Sequence, residues 1–318
     1  MASEIEQLRL MGKIARLYHE RGLNQTQIAA QLHVSQPRVS RLLKEAGEVG
    51  IVRTIVSLPP GVHTEEEERL EQAFGLTDAV VADADDDGDV ISALGSAAAA
   101  YLEATLMSAE VVGISSWSES LLAMVDSIGS LRQGVATTVV QLVGGHGQSA
   151  VQFQANRLLT RLAAQVGAKP VFLNAPGVLL PPADVDSLLQ APSLREATTA
   201  WRELTLAMVG IGSVEPSPLA HASGNILPDE MLAALKALGA VGDICFRYFD
   251  ERGVLVSSEL NDTIVGISLD VLMRVPRRVG VAGGARKLPA IRAALAGGWV
   301  NVLITDLSTA RALLASVE

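Results

Sequence analysis

The chain has 318 residues, 49% of them hydrophobic, and its formal net charge is −10. This composition predicts a folded chain with a sizeable core, long enough for one large domain and one small one. The single cysteine, Cys245, excludes a disulfide framework or a cysteine-based zinc site, and we expect it to be a small buried apolar residue. No apolar run reaches the roughly 18 residues of a membrane span, and the N-terminus has no signal-peptide core. We therefore expect a cytoplasmic protein with no membrane partner and no cofactor.

The charge is unevenly distributed along the chain. Residues 1–55 carry a net charge of +3, and the remainder carries −13. An acidic chain is a weak candidate for DNA binding, but the first segment is locally basic. Because this positive charge is modest, DNA affinity would require two or more modules acting together.

Three helices are predicted in the first fifty residues. The first has apolar residues at helical spacing, namely Ile5, Leu8, Ile14, Ala15 and Tyr18, and Gly22 ends it. The second spans residues 25–32, and the third runs from Gln36 to Lys44 with Ser35 as its N-cap and Pro37 in its first turn. His33 lies in the connecting turn, where glycine is common, and histidine tolerates a positive φ better than most residues.

The third predicted helix has two distinct faces. Its inner face carries Val39, Leu42, Leu43 and Ala46. We predict that its outer side binds DNA through Gln36, Pro37, Arg38, Ser40, Arg41 and Lys44. Arginine pairs bidentately with guanine and glutamine with adenine, so this face suits the major groove of double-stranded DNA. The alternative is an ordinary helical hairpin with a solvated basic face.

A domain boundary is predicted shortly after these helices. Residues 50–56 are predicted to form a strand, either a small wing or a connector, and the sequence Leu-Pro-Pro-Gly at 58–61 then breaks the chain. We therefore divide the chain into a helix-turn-helix domain at 1–57, a linker at 58–64 and a second domain at 65–318. The glutamates at 65–68 open a helix and are expected to form a solvated face near its N-terminus.

The second domain alternates short β-rich runs with helical stretches. The predicted strands are Ala79–Val81, Val111–Ile114, Thr138–Val143, Pro170–Leu173, Leu206–Val209, Ile244–Tyr248, Arg278–Val281 and Asn301–Ile304. The predicted helices are Leu94–Leu106, Leu121–Ile128, Gln152–Gln165, Asp229–Leu238, Leu288–Leu295 and Thr309–Leu314. This alternation is typical of an α/β, Rossmann-like domain with a mainly parallel sheet covered on both faces. Ligands bind at the carboxyl ends of the strands in such sheets.

Four glycine-rich or polar loops follow predicted strands, at 113–120, 144–147, 210–213 and 283–287. Each alone is ordinary turn chemistry, but together they indicate a shared cleft. The predicted effector-binding residues are Ser115, Ser116, Ser118, Glu119, Ser120, Gly144, Gly145, Gly212, Asp243 and Lys287. Asp243 and Lys287 would bind hydroxyl or anionic groups, or Asp243 would pair structurally with Arg247 or Lys287.

Three other residues are of types that often take part in binding or catalysis. Trp117 would stack on a sugar face or join the core. His146 and His221 lack partners at metal or triad spacing and are interpreted as loop residues. We therefore predict no metal site and no catalytic residue.

The chain carries motifs in both domains that resemble those of the SorC family of sugar-responsive transcriptional regulators, and the resemblance covers nearly its whole length. In the first domain the resemblance lies in Gln-Ile-Ala at 27–29 and Val-Ser-Arg-Leu-Leu at 39–43. In the second it lies in segments 113–117, 141–145, 239–244 and 302–306, and in 282–284 with Lys287 and 290–291. The family implies a non-catalytic effector domain similar to the sugar-phosphate isomerase and CoA-transferase-like fold, a homo-tetramer or dimer, operator DNA as partner and a sugar, polyol or sugar phosphate as effector.

The chain departs from the family in the first loop. Family members usually continue it as Ser-Trp-Gly-x-Thr, whereas this chain has Ser118 and Ser120 with Glu119 between them. A carboxylate facing a phosphate would repel it, and Ser118 has a Cβ where glycine lets the backbone approach an anion. Either Glu119 points away, or the ligand is an unphosphorylated sugar or polyol.

Three functions therefore compete. The first is a ligand-gated DNA-binding regulator. The second is a sugar-phosphate isomerase-like enzyme, for which Asp243 is the one candidate base but has no partner at convincing spacing. The third is a scaffold that uses the helical segment for protein contacts.

Overall fold

The structure is a computed structural model. It describes residues 2–52, 61–84, 89–115, 117–129, 136–145, 149–179, 184–215 and 227–317, without the side chains of 2–4 and 149–154. The chain divides into two compact units, Met1–Pro59 and Pro60–Glu318.

The first unit contains three helices: α1 (Ala2–His19), α2 (Gln25–Leu32) and α3 (Gln36–Glu48). Asn24 begins α2 with a capping box, because its Oδ1 accepts from Gln27 N at 2.9 Å while Gln27 Oε1 accepts from Asn24 N at 3.0 Å. His33 ends α2 at φ 57°, as the sequence predicts. Ser35 is the N-cap of α3 with an extended backbone, but its side chain makes no capping hydrogen bond.

The core of this unit lies between the three helices and comprises Met11, Ile14, Ala15, Leu17, Ile28, Ala29, Val39, Leu42 and Ala46. The inner face of α3 is therefore as predicted. The predicted apolar stripe of α1 is wrong in part, because Ile5 is 66% exposed and Leu8 and Tyr18 are also exposed. Leu17 and Met11 are buried instead, so the inward face is rotated relative to the predicted one.

The strand predicted at 50–56 is not present in its described part. Val49 caps α3, and Ile51 and Val52 form a bend in which Val52 N donates to Ala46 O at 2.9 Å. The chain therefore folds back onto the end of α3 at this point. Residues 53–56 lie outside the described residues.

The second unit is built on ten described strands. They are β1 (Asp78–Ala82), β2 (Glu110–Ile114), β3 (Ala136–Gln141), β4 (Lys169–Val171), β5 (Leu206–Gly210), β6 (Gly212–Ser213), β7 (Ala240–Ile244), β8 (Arg247–Asp250), β9 (Arg277–Val281) and β10 (Val302–Asp306). Seven of them form one parallel sheet in the order β1-β10-β9-β5-β2-β3-β4, and β6, β7 and β8 form a small antiparallel sheet. The predicted α/β class is confirmed.

Helices cover both faces of the large sheet. They are α4 (Thr64–Phe74), α5 (Val90–Thr105), α6 (Glu119–Ser127), α7 (Ser149–Val166), α8 (Val185–Leu189), α9 (Arg195–Arg202), α10 (Asp229–Ala237), α11 (Leu269–Leu272), α12 (Leu288–Ala296) and α13 (Leu307–Ala315). Strand β5 separates two cores, because Ala207 and Val209 pack into one and Leu206 and Met208 into the other. This alternation is the two-residue period of a strand buried on both faces.

Two sequence predictions need correction in this unit. The strand predicted at Ile244–Tyr248 is interrupted, because Cys245 (φ 54°) and Phe246 (φ 62°) form a tight turn between β7 and β8. Such turns are usually signalled by Asn-Gly or Asp-Gly, and Cys-Phe gives no such signal. Helices α8, α9 and α11 were also not predicted, since they are short segments between longer elements.

The glutamates at the start of α4 are only partly solvated, contrary to expectation. Glu65 and Glu68 are exposed. Glu66 pairs with Arg311 at 3.0 Å, and Glu67 Oε1 accepts from Val81 N at 2.9 Å. Because β1 is an edge strand, Glu67 satisfies a backbone donor that the sheet leaves unpaired.

The topology places a crevice between β2 and β5. From β2 the chain enters α6, whose Leu121 and Met124 join one core, whereas from β5 it continues through Ile211 and Val214, which join the other. Connections that leave adjacent parallel strands on opposite faces open a gap at their carboxyl ends, and ligands bind in such gaps.

Candidate functional site

The outer face of α3 is a solvent-exposed polar and basic surface. All six residues predicted to bind DNA are exposed: Gln36, Pro37, Arg38, Ser40, Arg41 and Lys44. Gln36 Nε2 donates to Gln25 Oε1 at 2.8 Å, and the Lys44–Glu48 ion pair is long at 3.8 Å. Since exposed ion pairs contribute little, Lys44 can turn to another anion at low cost. This surface can bind phosphates and base edges.

In the second unit, a cleft lies at the crevice between β2 and β5, and its empty space, open solvent included, is about 870 Å³. Ser115, directly after β2, joins the two strands because its N donates to Met208 O at 3.0 Å and its Oγ accepts from Gly210 N at 3.0 Å. Ser118 lies against Gly210, where a Cβ would come within 2.6 Å of Ser118 Cβ. Both serines line the cleft.

Asp243 is the carboxylate on the β6–β7 side of the cleft. Its register partner is Gly212, where an added Cβ would lie 2.0 Å from Asp243 Oδ1, so only glycine leaves room for the carboxylate. Asp243 Oδ2 accepts from Phe246 N at 3.0 Å. Burial raises the pKa of Asp243 to about 6, although the Phe246 hydrogen bond and Lys287 oppose the rise. This carboxyl is therefore poised near neutral pH.

Neither structural pairing considered for Asp243 is found. Arg247 instead donates to backbone carbonyls, including Asn261 O at 2.6 Å. Among the described residues, no basic nitrogen lies within 4.0 Å of the Asp243 carboxylate. Lys287 acts on it at longer range.

The basic side of the cleft is formed by Arg286 and Lys287 at the start of α12. Burial and Arg286 lower the pKa of the Lys287 ammonium, while Glu119 and Asp243 raise it. Arg286 Nη1 donates to Ser213 Oγ and to Glu215 O, both at 3.0 Å. The cleft thus presents carboxylates and one partly desolvated ammonium to its interior.

Three aromatic residues also line the cleft: Trp117, Phe246 and Tyr248. Trp117 Nε1 donates to Gly144 O at 3.1 Å, which fixes the ring while one side of it borders the cleft. Burial and Asp243 raise the pKa of Tyr248 well above its usual range, so the phenol stays a hydrogen-bond donor. Aromatic faces beside polar groups suit the apolar and hydroxyl faces of a sugar.

The structure gathers six of the ten predicted effector residues around the cleft: Ser115, Ser118, Glu119, Gly212, Asp243 and Lys287. Ser120 is buried within α6 instead. Gly144 and Gly145 do not line the cleft; a Cβ on Gly144 would lie 2.5 Å from Ala175 O, so this glycine permits a crossing of two backbones. Ser116, His146 and His221 lie outside the described residues.

Sequence reasoning missed several cleft residues, chiefly Phe246, Tyr248, Glu215 and Arg286. Tyr248 is the register partner of Asp243 across the β7–β8 turn. Prediction of a hairpin here, in place of one strand, would have identified Tyr248 as a neighbour of Asp243. Arg286 was adjacent to a predicted residue. Cys245, predicted to be buried, is 6% exposed, and burial raises the pKa of its thiol to about 12, so it is an inert wall residue.

Two features are absent from the described residues. No group of three or more His, Cys, Asp or Glu side chains in them is arranged to hold a metal ion. No helix in the same part of the chain is long and apolar enough to cross a membrane.

Comparison with known proteins assigns both units. Residues 4–49 match a family model described as "Helix-turn-helix domain", and residues 60–315 match one described as "Putative sugar-binding domain". The full-length sorbitol operon regulator SorC from Klebsiella pneumoniae has a similar structure, with a TM-score of 0.73, 30% identity and coverage of 97% of this chain and 99% of that chain. The chain belongs to the SorC family.

Two SorC-family relatives illustrate the breadth of the match. The deoxyribonucleoside regulator of Bacillus subtilis is 33% identical over 97% of this chain and 98% of its own length. The transcriptional regulator LsrR of Escherichia coli K12 is 31% identical over 96% of this chain and 94% of its own length. These full-length matches decide among the functions that the sequence leaves open: the chain is a DNA-binding transcriptional regulator with a sugar-binding domain, not an isomerase or a scaffold.

Proposed function

We propose that α3 binds operator DNA in the major groove and reads base edges with Gln36, Arg38 and Arg41. Ser40 and Lys44 would contact phosphates, and Pro37 would fit closely against the groove. The exposure of all these side chains on one face of α3 supports this assignment.

The effector of this regulator is a small sugar, polyol or sugar phosphate bound in the cleft between β2 and β5. The combination of the Asp243 carboxyl, the Lys287 ammonium and the Trp117 ring in one cleft supports this assignment more than any other observation. Relatives named for sorbitol and deoxyribonucleosides are consistent with it. Effector binding changes operator affinity because the two DNA-binding states differ in their affinity for the effector.

The functional form is a homo-tetramer in the cytoplasm. One domain of net charge +3 supplies only a few phosphate contacts, so several copies must bind together to give a useful operator affinity. Sedimentation of the purified full-length chain would measure this directly, and a monomer at operator-binding concentrations would contradict it.

Selection of bound genomic DNA fragments by the purified chain tests the proposed function. We expect recovery of a small set of sites with inverted or repeated half-sites, beside genes for uptake or breakdown of one sugar or polyol. That compound should then shift the operator affinity. Recovery of fragments without a common sequence would contradict the proposal.

A further inference from the structure

The wall of the cleft at α6 carries its own negative charge. Ser118 caps α6 by accepting from Leu121 N at 3.4 Å, and Glu119 is the first residue of the helix. The first turn of a helix favours an anion, because its N–H groups are unpaired and the macrodipole is positive there. Glu119 lines the cleft at this turn, so a carboxylate of the chain itself already lies in this anion-favouring position.

The basic groups of the described cleft wall already face acceptors. Arg286 donates to Ser213 Oγ and Glu215 O. Lys287 lines the same cleft as Glu119 and Asp243, and both carboxylates raise its pKa. The Glu215 carboxylate forms an exposed ion pair with Lys236 at 3.4 Å.

The charge balance of the cleft therefore disfavours an anionic ligand. Glu119 and Asp243 line it together with Arg286 and Lys287, and the third lining carboxylate, on Glu215, is already paired with Lys236. A phosphate monoester would add about 1.5 to 2 negative charges. Bound beside Lys287, it would lie close to Glu119 and Asp243, and like charges within a few ångströms of each other repel strongly where solvent is partly excluded.

The same groups suit an uncharged polyhydroxyl compound. Its hydroxyls can donate to the Glu119 and Asp243 carboxylates and accept from the Lys287 ammonium, while its C–H face lies against Trp117. Hydrogen bonds of this type need no change in the charge of the cleft. The carboxylates that would repel a phosphate instead accept hydrogen bonds from the hydroxyls of the uncharged compound.

We propose that the effector is an uncharged sugar or polyol and that Glu119 excludes its phosphorylated forms. This inference rests on the proposed function, namely that the cleft is the effector site. Glu119 is then the residue that determines the ligand class.

Matched pairs of ligands test the proposal on the full-length chain. Isothermal titration would compare D-glucitol with D-glucitol 6-phosphate, D-fructose with D-fructose 6-phosphate and D-ribose with D-ribose 5-phosphate. Inorganic phosphate is added as a probe that needs no matching sugar. We expect at least one free compound to bind at least tenfold more tightly than its phosphorylated form, and inorganic phosphate not to bind.

The Glu119→Gln variant separates charge from size. Glutamine keeps the length and hydrogen-bonding capacity of the side chain but removes its charge, so the preference for the free form should shrink on the order of tenfold. Glu65→Gln is the matched control, because Glu65 is an exposed acid in the first turn of α4, outside the cleft. It should leave every ligand affinity unchanged.

The outcomes distinguish the two claims. Tighter binding of the phosphorylated members by the unmodified chain would overturn the inference and leave the proposed function intact. An unchanged preference in a folded Glu119→Gln variant would also overturn it, because size rather than charge would then exclude the phosphate. Absence of binding by every member of both classes would contradict the proposed function itself.

Discussion

The outer face of α3 and the cleft of the second unit both present basic side chains to a ligand, but they hold them differently. Arg41 and Lys44 are exposed. Lys287 is partly desolvated and lines a cleft with Glu119 and Asp243, and burial lowers its pKa.

The difference indicates how each surface should respond to change. Exposed charges act nearly independently and are screened by salt. Groups in the cleft share hydrogen bonds and fields, so altering one alters the others. We therefore expect large, coupled effects from cleft substitutions and smaller, additive effects from substitutions on α3.

Gly212→Ala should have the largest effect. The new Cβ would lie 2.0 Å from Asp243 Oδ1, so the carboxylate must leave its position and its hydrogen bond to Phe246 N. We expect effector affinity to fall about a hundredfold, and the free energy of unfolding to fall by about 1–3 kcal/mol. Titration calorimetry and urea unfolding measure the two quantities.

Gly129→Ala is the control for this substitution, because the nearest atom to its added Cβ is Glu103 Oε1 at an ordinary 3.7 Å. It should bind effector as the unmodified chain does. If Gly212→Ala also kept full affinity, the placement of Asp243 over Gly212 would not matter for binding.

Asp243→Asn should change the pH dependence of stability. Because burial raises the folded pKa to about 6 from 3.8, the folded state holds its proton more tightly, and stability falls as pH rises from about 4 to about 6. Asparagine removes this loss, so the variant should gain about 2 kcal/mol relative to the unmodified chain across that range. Urea unfolding at several pH values measures the difference.

Asp270→Asn, at an exposed position in α11, should show no such pH-dependent gain. Parallel pH profiles for the unmodified chain and Asp243→Asn would mean that the Asp243 carboxyl is solvated in the free protein. The description of the cleft as a coupled, desolvated site would then be wrong.

Substitutions on α3 should have the smallest effects. Arg41→Ala should weaken operator binding on the order of tenfold and relax the preference at one base pair.

Lys44→Ala should weaken binding to all DNA sequences alike and reduce the slope of log affinity against log salt by about 1. Fluorescence anisotropy at several salt concentrations measures both, with Arg202→Ala on α9 as a control for lost charge. If the loss of operator affinity in the Arg41→Ala, Lys44→Ala double variant differed strongly from the sum of the two single losses, the charges on α3 would not act independently, contrary to the contrast with the cleft.

The sequence predicted the first unit well because its signals are local. The buried face of α3, with Val39, Leu42 and Ala46, follows from helical spacing alone. The positive φ of His33 follows from the short link between two helices. The orientation of α1 was wrong in part because the helix has apolar residues on more than one side, and only packing selects Met11 and Leu17 over Leu8.

The cleft was only partly predictable because tertiary contacts determine its walls. The turn at Cys245 and Phe246 has positive φ at two non-glycine residues, which their residue types do not predict, and Phe246 N donates to the Asp243 carboxylate within this turn. The sequence predicted Gly144 to bind the ligand, but this glycine lets its own backbone pass close to the backbone of residues 175–176. Ser115 and Gly210 meet across 95 residues of chain, which no local pattern encodes.

The central claim is that occupation of the cleft controls operator binding. Its most direct test is to measure operator affinity by fluorescence anisotropy, with and without the effector identified by titration, for the unmodified chain and for Gly212→Ala. The account predicts that effector shifts the operator affinity of the unmodified chain by about five- to 150-fold and has no effect at the same concentration on the variant. An equal shift in both proteins would contradict it.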